Sequence, residues 1–191
     1  MNRTAGVLDL VRDAWWAASA PASFFRALHD SPEPRVGRAL LVALLSVLLA
    51  LAVLSLAFVR ATASDGWLLV WVVASAIGLP YLGMVLLLGG LVMVRPANLD
   101  VRAWEITAWS WAPAGALALS LAPAAYLAPL PTALVGLLAF PFWHVVVVIN
   151  GVNVFAPARR VVATTVYLGA VFLVPSLVTA VSYAIMSGMR P

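Results

Sequence analysis

Apolar residues run along this chain in long unbroken blocks separated by short polar segments. The longest block, Ile106 to Ala158, is 53 residues without one Asp, Glu, Lys or Arg. As a single helix it would be roughly 80 Å long at 1.5 Å per residue, more than twice a bilayer core of about 30 Å. Pro123, Pro129 and Pro131 crowd around Tyr126 between Leu121 and Pro131, which predicts two crossings joined by a tight, uncharged turn. Before it lie Ala39 to Val59, 21 residues, and Trp67 to Val94, 28 residues with Pro80 at the middle. After it comes Val161 to Met186, with Pro175 inside. The pattern predicts an all-α integral membrane protein, a five-transmembrane-helix bundle over residues 37–191 with spans near 39–59, 67–94, 103–121, 131–151 and 161–186. A β-barrel is a poor fit, because its lumen needs polar residues at alternate positions.

Spans two to five each carry an internal proline, Pro80, Pro113, Pro141 and Pro175. Each withholds a backbone donor and frees a carbonyl one turn earlier. Helix kinks are expected there, either for packing alone or as bent helices around a cavity. In the first span Ala39, Ala43, Ser46, Ala50 and Ala57 make one thin face suited to close helix approach.

Residues 1–36 read differently. On a helical wheel Val7, Leu8, Leu10, Val11, Ala14 and Trp15 share one arc, while Asp9, Arg12 and Asp13 fall opposite with Trp16 beside them. That is an amphipathic helix of the interfacial kind. Pro21 suits the first turn of a second short helix, in which Phe24, Phe25 and Leu28 form an apolar edge. Asp30 to Arg35, with Pro32 and Pro34, is a stiff linker. These two short helices are expected to lie in the interface, to pack under the bundle, or both.

Composition agrees: 64% of residues are hydrophobic and 9% charged, against about 45–50% and 25% in soluble domains. The net charge of +4 comes from dispersed arginines, which argues against a nucleic-acid partner. No apolar run precedes residue 39, so the N-terminus is not expected to be a signal peptide. With five spans and the N-terminus in the cytoplasm, nine arginines fall inside and only Arg60 and Arg190 outside. That obeys the positive-inside rule and predicts an inner-membrane protein with its C-terminus outside.

Intramembrane polar residues are the default functional candidates, because burying them is costly. Glu105 stands near the start of the third span, His144 well inside the fourth, and Asn150 and Asn153 near its end. With Arg102 these are expected to form a polar site in the half of the bundle nearer the cytoplasm. The duller reading pairs Glu105 with Arg102 at i−3, caps a helix end with the Asn residues, and satisfies His144 with one hydrogen bond. No G-x-S-x-G elbow, H-E-x-x-H pair or Walker loop is present. One membrane His with a single nearby carboxylate and no Cys offers too few metal ligands. No enzyme activity, cofactor or metal is therefore expected.

Pro21, Phe24 and Phe25 form P-x-x-F-F ahead of the spans; Trp109, Ser110 and Pro113 form aromatic-Ser-x-x-Pro in the third. Gly151 ends the fourth, before a short basic loop. Together these residues resemble the Yip domain, the Ypt-interacting protein family, in its short prokaryotic form. The resemblance covers roughly Trp15 to Met186 and implies five spans with a cytoplasmic N-terminus. Eukaryotic members associate with prenylated Rab-type GTPases and with one another. This chain lacks their long cytosolic N-terminal region, and Trp109 stands where members often have Tyr. The expectation is a non-enzymatic scaffold, partner-binding or membrane-organising factor, in contact with the lipid bilayer and with a homo-oligomer or another membrane protein. The alternative is a small transporter or channel-like protein using Glu105 and His144.

Overall fold

A computed structural model describes residues 6–31, 33–63, 65–97 and 99–173. In chain order the elements are α1 (Val7–Ser19), α2 (Pro21–His29), α3 (Val36–Thr62), α4 (Trp67–Ala97), α5 (Asp100–Trp109), α6 (Ala112–Leu127), α7 (Pro129–Phe155) and α8 (Arg160–Leu168). A 3₁₀ turn, Pro157–Arg159, leads into α8, and a π-helical turn, Gly169–Leu173, follows it. Three helices are long and apolar enough to cross a membrane: α3, α4 over Trp67–Val94, and α7. The kink expected at Pro175 and the end of the expected fifth span lie outside the described residues.

The third expected span is not one bent helix. It ends at Trp109, turns through Ser110 and Trp111, and resumes at Ala112 with Pro113 in the first turn of α6. Pro113 therefore starts a helix instead of kinking one. Its missing N–H leaves the Trp109 carbonyl without its usual partner. Next along, the Ala114 N–H bonds the Trp111 carbonyl at 3.0 Å, so the Ser110 carbonyl is also released from helical pairing. The turn expected from Leu121 to Pro131 is also shorter than its prolines suggest. Helix α6 runs through Pro123 to Leu127, and Ala128 alone separates it from α7, which opens on Pro129. Proline is harmless in a first turn, where N–H groups have no helical acceptor. Pro80 and Pro141 lie inside α4 and α7, as expected.

Helix α3 packs along α4 and α6 and also touches α5 and α7. Its small-residue face is the reason it can. Ala39, Ala43, Ser46 and Ala57 are buried, and a Cβ on Gly115 of α6 would stand 2.7 Å from Ser46 Oγ. At the far end Arg60 lies over the Tyr126 ring, 4.1 Å from its centroid, joining α3 to the end of α6.

The N-terminal helices are built into the bundle. Ala17, Ala18, Phe24, Phe25 and Leu28 are buried; α1 packs on α6 and α2 on α7. Trp143 Nε1 donates to the Ala18 carbonyl at 2.8 Å. The arc expected on α1 divides in two. Leu10 and Ala14 turn toward the core, while Leu8 and, along a groove shared with α3 and α6, Val7, Val11 and Trp15 stay exposed. Trp16 remains partly exposed, with its indole N–H on Ser23 Oγ at 2.9 Å and its ring edge-on to Phe24.

Candidate functional site

The five polar residues expected to share a site separate into three places. Glu105, on α5, is fully buried. One carboxylate oxygen accepts from the Arg35 backbone N–H at 2.8 Å, and the other meets Arg102 Nη1 at 2.6 Å. Arg102 also donates through Nη2 to the Ser31 carbonyl at 2.7 Å. The pair therefore grips both ends of the linker between α2 and α3. Arg38, at the start of α3, meets Asp13 of α1 at 2.9 Å and holds the same segment from the other side. Asn150 and Asn153 join neither cluster. Asn150 Nδ2 donates to the Val146 carbonyl of its own helix, and Asn153 accepts from Arg160 Nη1 at 3.4 Å near the surface.

His144, on α7, is buried beside the break between α5 and α6. Its Nδ1 lies 2.9 Å from the Ser110 carbonyl. A carbonyl can only accept, so Nδ1 carries the proton. In the neutral ring Nε2 is then an acceptor, and the Tyr167 hydroxyl of α8 donates to it at 2.8 Å. Irregular backbone at membrane depth persists only where its polar groups find partners within protein or beside a cavity. Here the carbonyl freed by the break finds His144. Ser110 Oγ donates to the Thr107 carbonyl at 2.7 Å and lies 3.5 Å from Nε2. Its proton is thus directed away from the base, and it is not arranged as a nucleophile. Tyr167 stacks on the imidazole at 5.8 Å, and Trp111 and Phe140 each approach it at 5.4 Å.

Above this box, toward the α3–α4 and α6–α7 turns, a cavity of about 380 Å³ opens between α3, α4, α6 and α7. Leu51, Ala118, Gly136 and Phe140 are among its walls; Trp111 and His144 lie at its floor, and Tyr81 of α4 borders it. No Asp, Glu, Lys or Arg is among its described lining residues. Of the residues expected to share a polar site in the half of the bundle nearer the cytoplasm, Glu105 and Arg102 thus meet at the linker, while His144 lies at this cavity.

No family model, curated protein or solved structure matches the chain. The site thus rests on its own geometry. Tyr167 and Tyr81 were not picked out in the sequence, although one signal was there. A Tyr hydroxyl inside an apolar run seeks a hydrogen-bond partner when buried, and His144 is the one imidazole within the long uncharged block.

Proposed function

We propose that this chain is a non-enzymatic, five-span membrane protein that organises the bilayer around it through its N-terminal helices. The position of α1 carries the reading. Helix α1 lies along α3 and α6 across a groove lined by Val11, Ala14 and Trp15 of α1, Val42 and Leu49 of α3, and Leu119 of α6. Val42 to Leu49 lies about 5 to 15 Å along α3 from Ala39, where the expected span begins, at 1.5 Å per residue. For a hydrocarbon core of about 30 Å, that is within one leaflet and not on its surface. Val7, Val11 and Trp15 along this groove, and Leu8 beside them, stay exposed and then meet acyl chains, whereas Asp9 and Arg12 pair with each other at 3.1 Å. Such a helix adds volume to one leaflet only, which is how amphipathic insertions bend or sort membranes.

Charge distribution supports placing that leaflet on the cytoplasmic side of an inner membrane, with the C-terminus outside. The Yip-like reading draws support from the company its residues keep. Phe24 meets the Trp109 ring edge-on at 4.7 Å, and a Cβ on Gly151 would stand 3.1 Å from Phe25 Cζ. A role in binding a second copy or another membrane protein is compatible with this arrangement.

Spin labels at Leu8 and Val11 in proteoliposomes test the depth. Oxygen, which concentrates in hydrocarbon, is expected to relax them more than a water-soluble nickel chelate does. Equal chelate access at Leu8 and Arg12 would refute burial in the leaflet. Leu8→Glu with Val11→Glu is expected to abolish any preference of the protein for small, highly curved vesicles. The broken α5–α6 helix favours a second reading, transport, since discontinuous helices line many transport sites. A solute flux lost in Glu105→Gln or His144→Ala would establish it, but the apolar cavity walls are poorly suited to a polar solute.

A further inference from the structure

The cavity above His144 has the size of a ligand site, within the range of about 300–1,000 Å³ typical of small-molecule pockets. It is more than twice the volume of an apolar cavity of about 150 Å³ that takes up benzene. Its walls come from helices at membrane depth, so its guests are drawn from the hydrocarbon phase. A charged guest would find no counter-charge among the described lining residues and would be costly to bury.

The polar atoms at its edge narrow the choice further. Both His144 ring nitrogens are engaged, by Ser110 and Tyr167. Thr132 donates its hydroxyl proton to the Ala128 carbonyl at 2.7 Å. The Trp111 indole N–H has no partner but is sealed among its neighbours. Tyr81 is different: it borders the cavity, is 40% exposed, and its hydroxyl makes no hydrogen bond among the described residues. It lies midway along Trp67–Val94, the membrane-crossing part of α4, and therefore near the bilayer centre, where neither water nor phospholipid headgroups offer an acceptor. With no partner among the described residues, a phenol there is matched by an acceptor that itself resides in the hydrocarbon phase.

We propose that this cavity binds a neutral carbonyl compound carried on an apolar chain, with the Tyr81 hydroxyl as the hydrogen-bond donor to the carbonyl. Two kinds of membrane molecule carry that chemistry at that depth: isoprenoid-type quinones and neutral acylglycerols. The apolar body fills the space between Leu51, Ala118 and Gly136, and the carbonyl stays at the Tyr81 edge.

The test uses the full chain in phosphatidylcholine nanodiscs, titrated separately with a decyl-substituted benzoquinone, dioctanoylglycerol and dodecane. Binding is read from quenching of tryptophan fluorescence by the quinone, and from displacement of the quinone by the other two. Saturable quinone binding is expected, weakened about tenfold in Tyr81→Phe, the loss of one hydrogen bond, and abolished in Ala118→Phe. Because Tyr81→Phe keeps the shape of the wall, it remains informative even if Ala118→Phe does not fold. Displacement by dioctanoylglycerol at lower concentration than the quinone would assign the site to acylglycerols. Dodecane competing as well as either carbonyl compound would overturn the proposal, as would non-saturable quenching or an unchanged affinity in Tyr81→Phe.

Discussion

Removing the Glu105 carboxylate is expected to release the linker that ties the N-terminal helices to the bundle. In Glu105→Ala, Arg102 keeps its place, with only 16% of its side chain exposed, but loses the oxygen 2.6 Å away. Breaking a buried ion pair from one side costs about 3–5 kcal/mol, because the remaining charge is left uncompensated. The Arg35 N–H also loses its acceptor, worth about 1 kcal/mol more. Even the lower figure of about 3 kcal/mol shifts a local opening equilibrium roughly a hundredfold. Hydrogen exchange read by mass spectrometry in nanodiscs would register this as faster exchange at Arg35 and its neighbours. Glu105→Gln retains an acceptor for Arg35 and should fall between alanine and wild type. The double variant Arg102→Ala, Glu105→Ala should lose less than the sum of the two single changes, since no stranded charge remains. Unchanged exchange at Arg35 in Glu105→Ala would refute the assignment of Glu105 to the linker.

Gly151→Ala places a methyl 2.7 Å from Ile106 Cγ2 and 3.1 Å from Phe25 Cζ, and overpacking of this kind costs about 1–3 kcal/mol. Unfolding titrations in SDS should show that loss, while Gly136→Ala, whose nearest neighbour is Leu121 Cδ1 at 3.5 Å, should leave the midpoint unchanged. His144→Phe strands the Ser110 carbonyl and the Tyr167 hydroxyl, and the same titration should report about 1–3 kcal/mol. Trp143→Phe removes the bond to the Ala18 carbonyl. At about 1 kcal/mol, limited proteolysis between α1 and α2 should accelerate roughly fivefold.

Hydropathy located the long helices well, because α3, α4 and α7 are apolar blocks bounded by charge or proline. It did not locate the break at Ser110 and Trp111, for these two residues are as compatible with helix as with turn. Pro113 can kink a helix or begin one, and only the bonding of Ala114 decides between them. The Arg102–Glu105 pair was legible as an i, i+3 contact. Its larger purpose was not, since the Arg35 N–H arrives from 70 residues away. Nor could the sequence say which partners Asn150 and Asn153 take, the Val146 carbonyl of the same helix and Arg160 beyond its end.

The bond between Trp143 and Ala18 spans 125 residues of chain, and this has a consequence for biosynthesis. The N-terminal helices leave the ribosome first, yet their seats on α5, α6 and α7 are made much later. At about 5–20 residues per second, α1 and α2 wait on the order of ten seconds before Trp143 and Gly151 exist to receive them. During that interval Phe24, Phe25 and Leu28 have no core to enter. Their burial waits for α7, so α1 and α2 can dock only after most of the bundle's helices have been made.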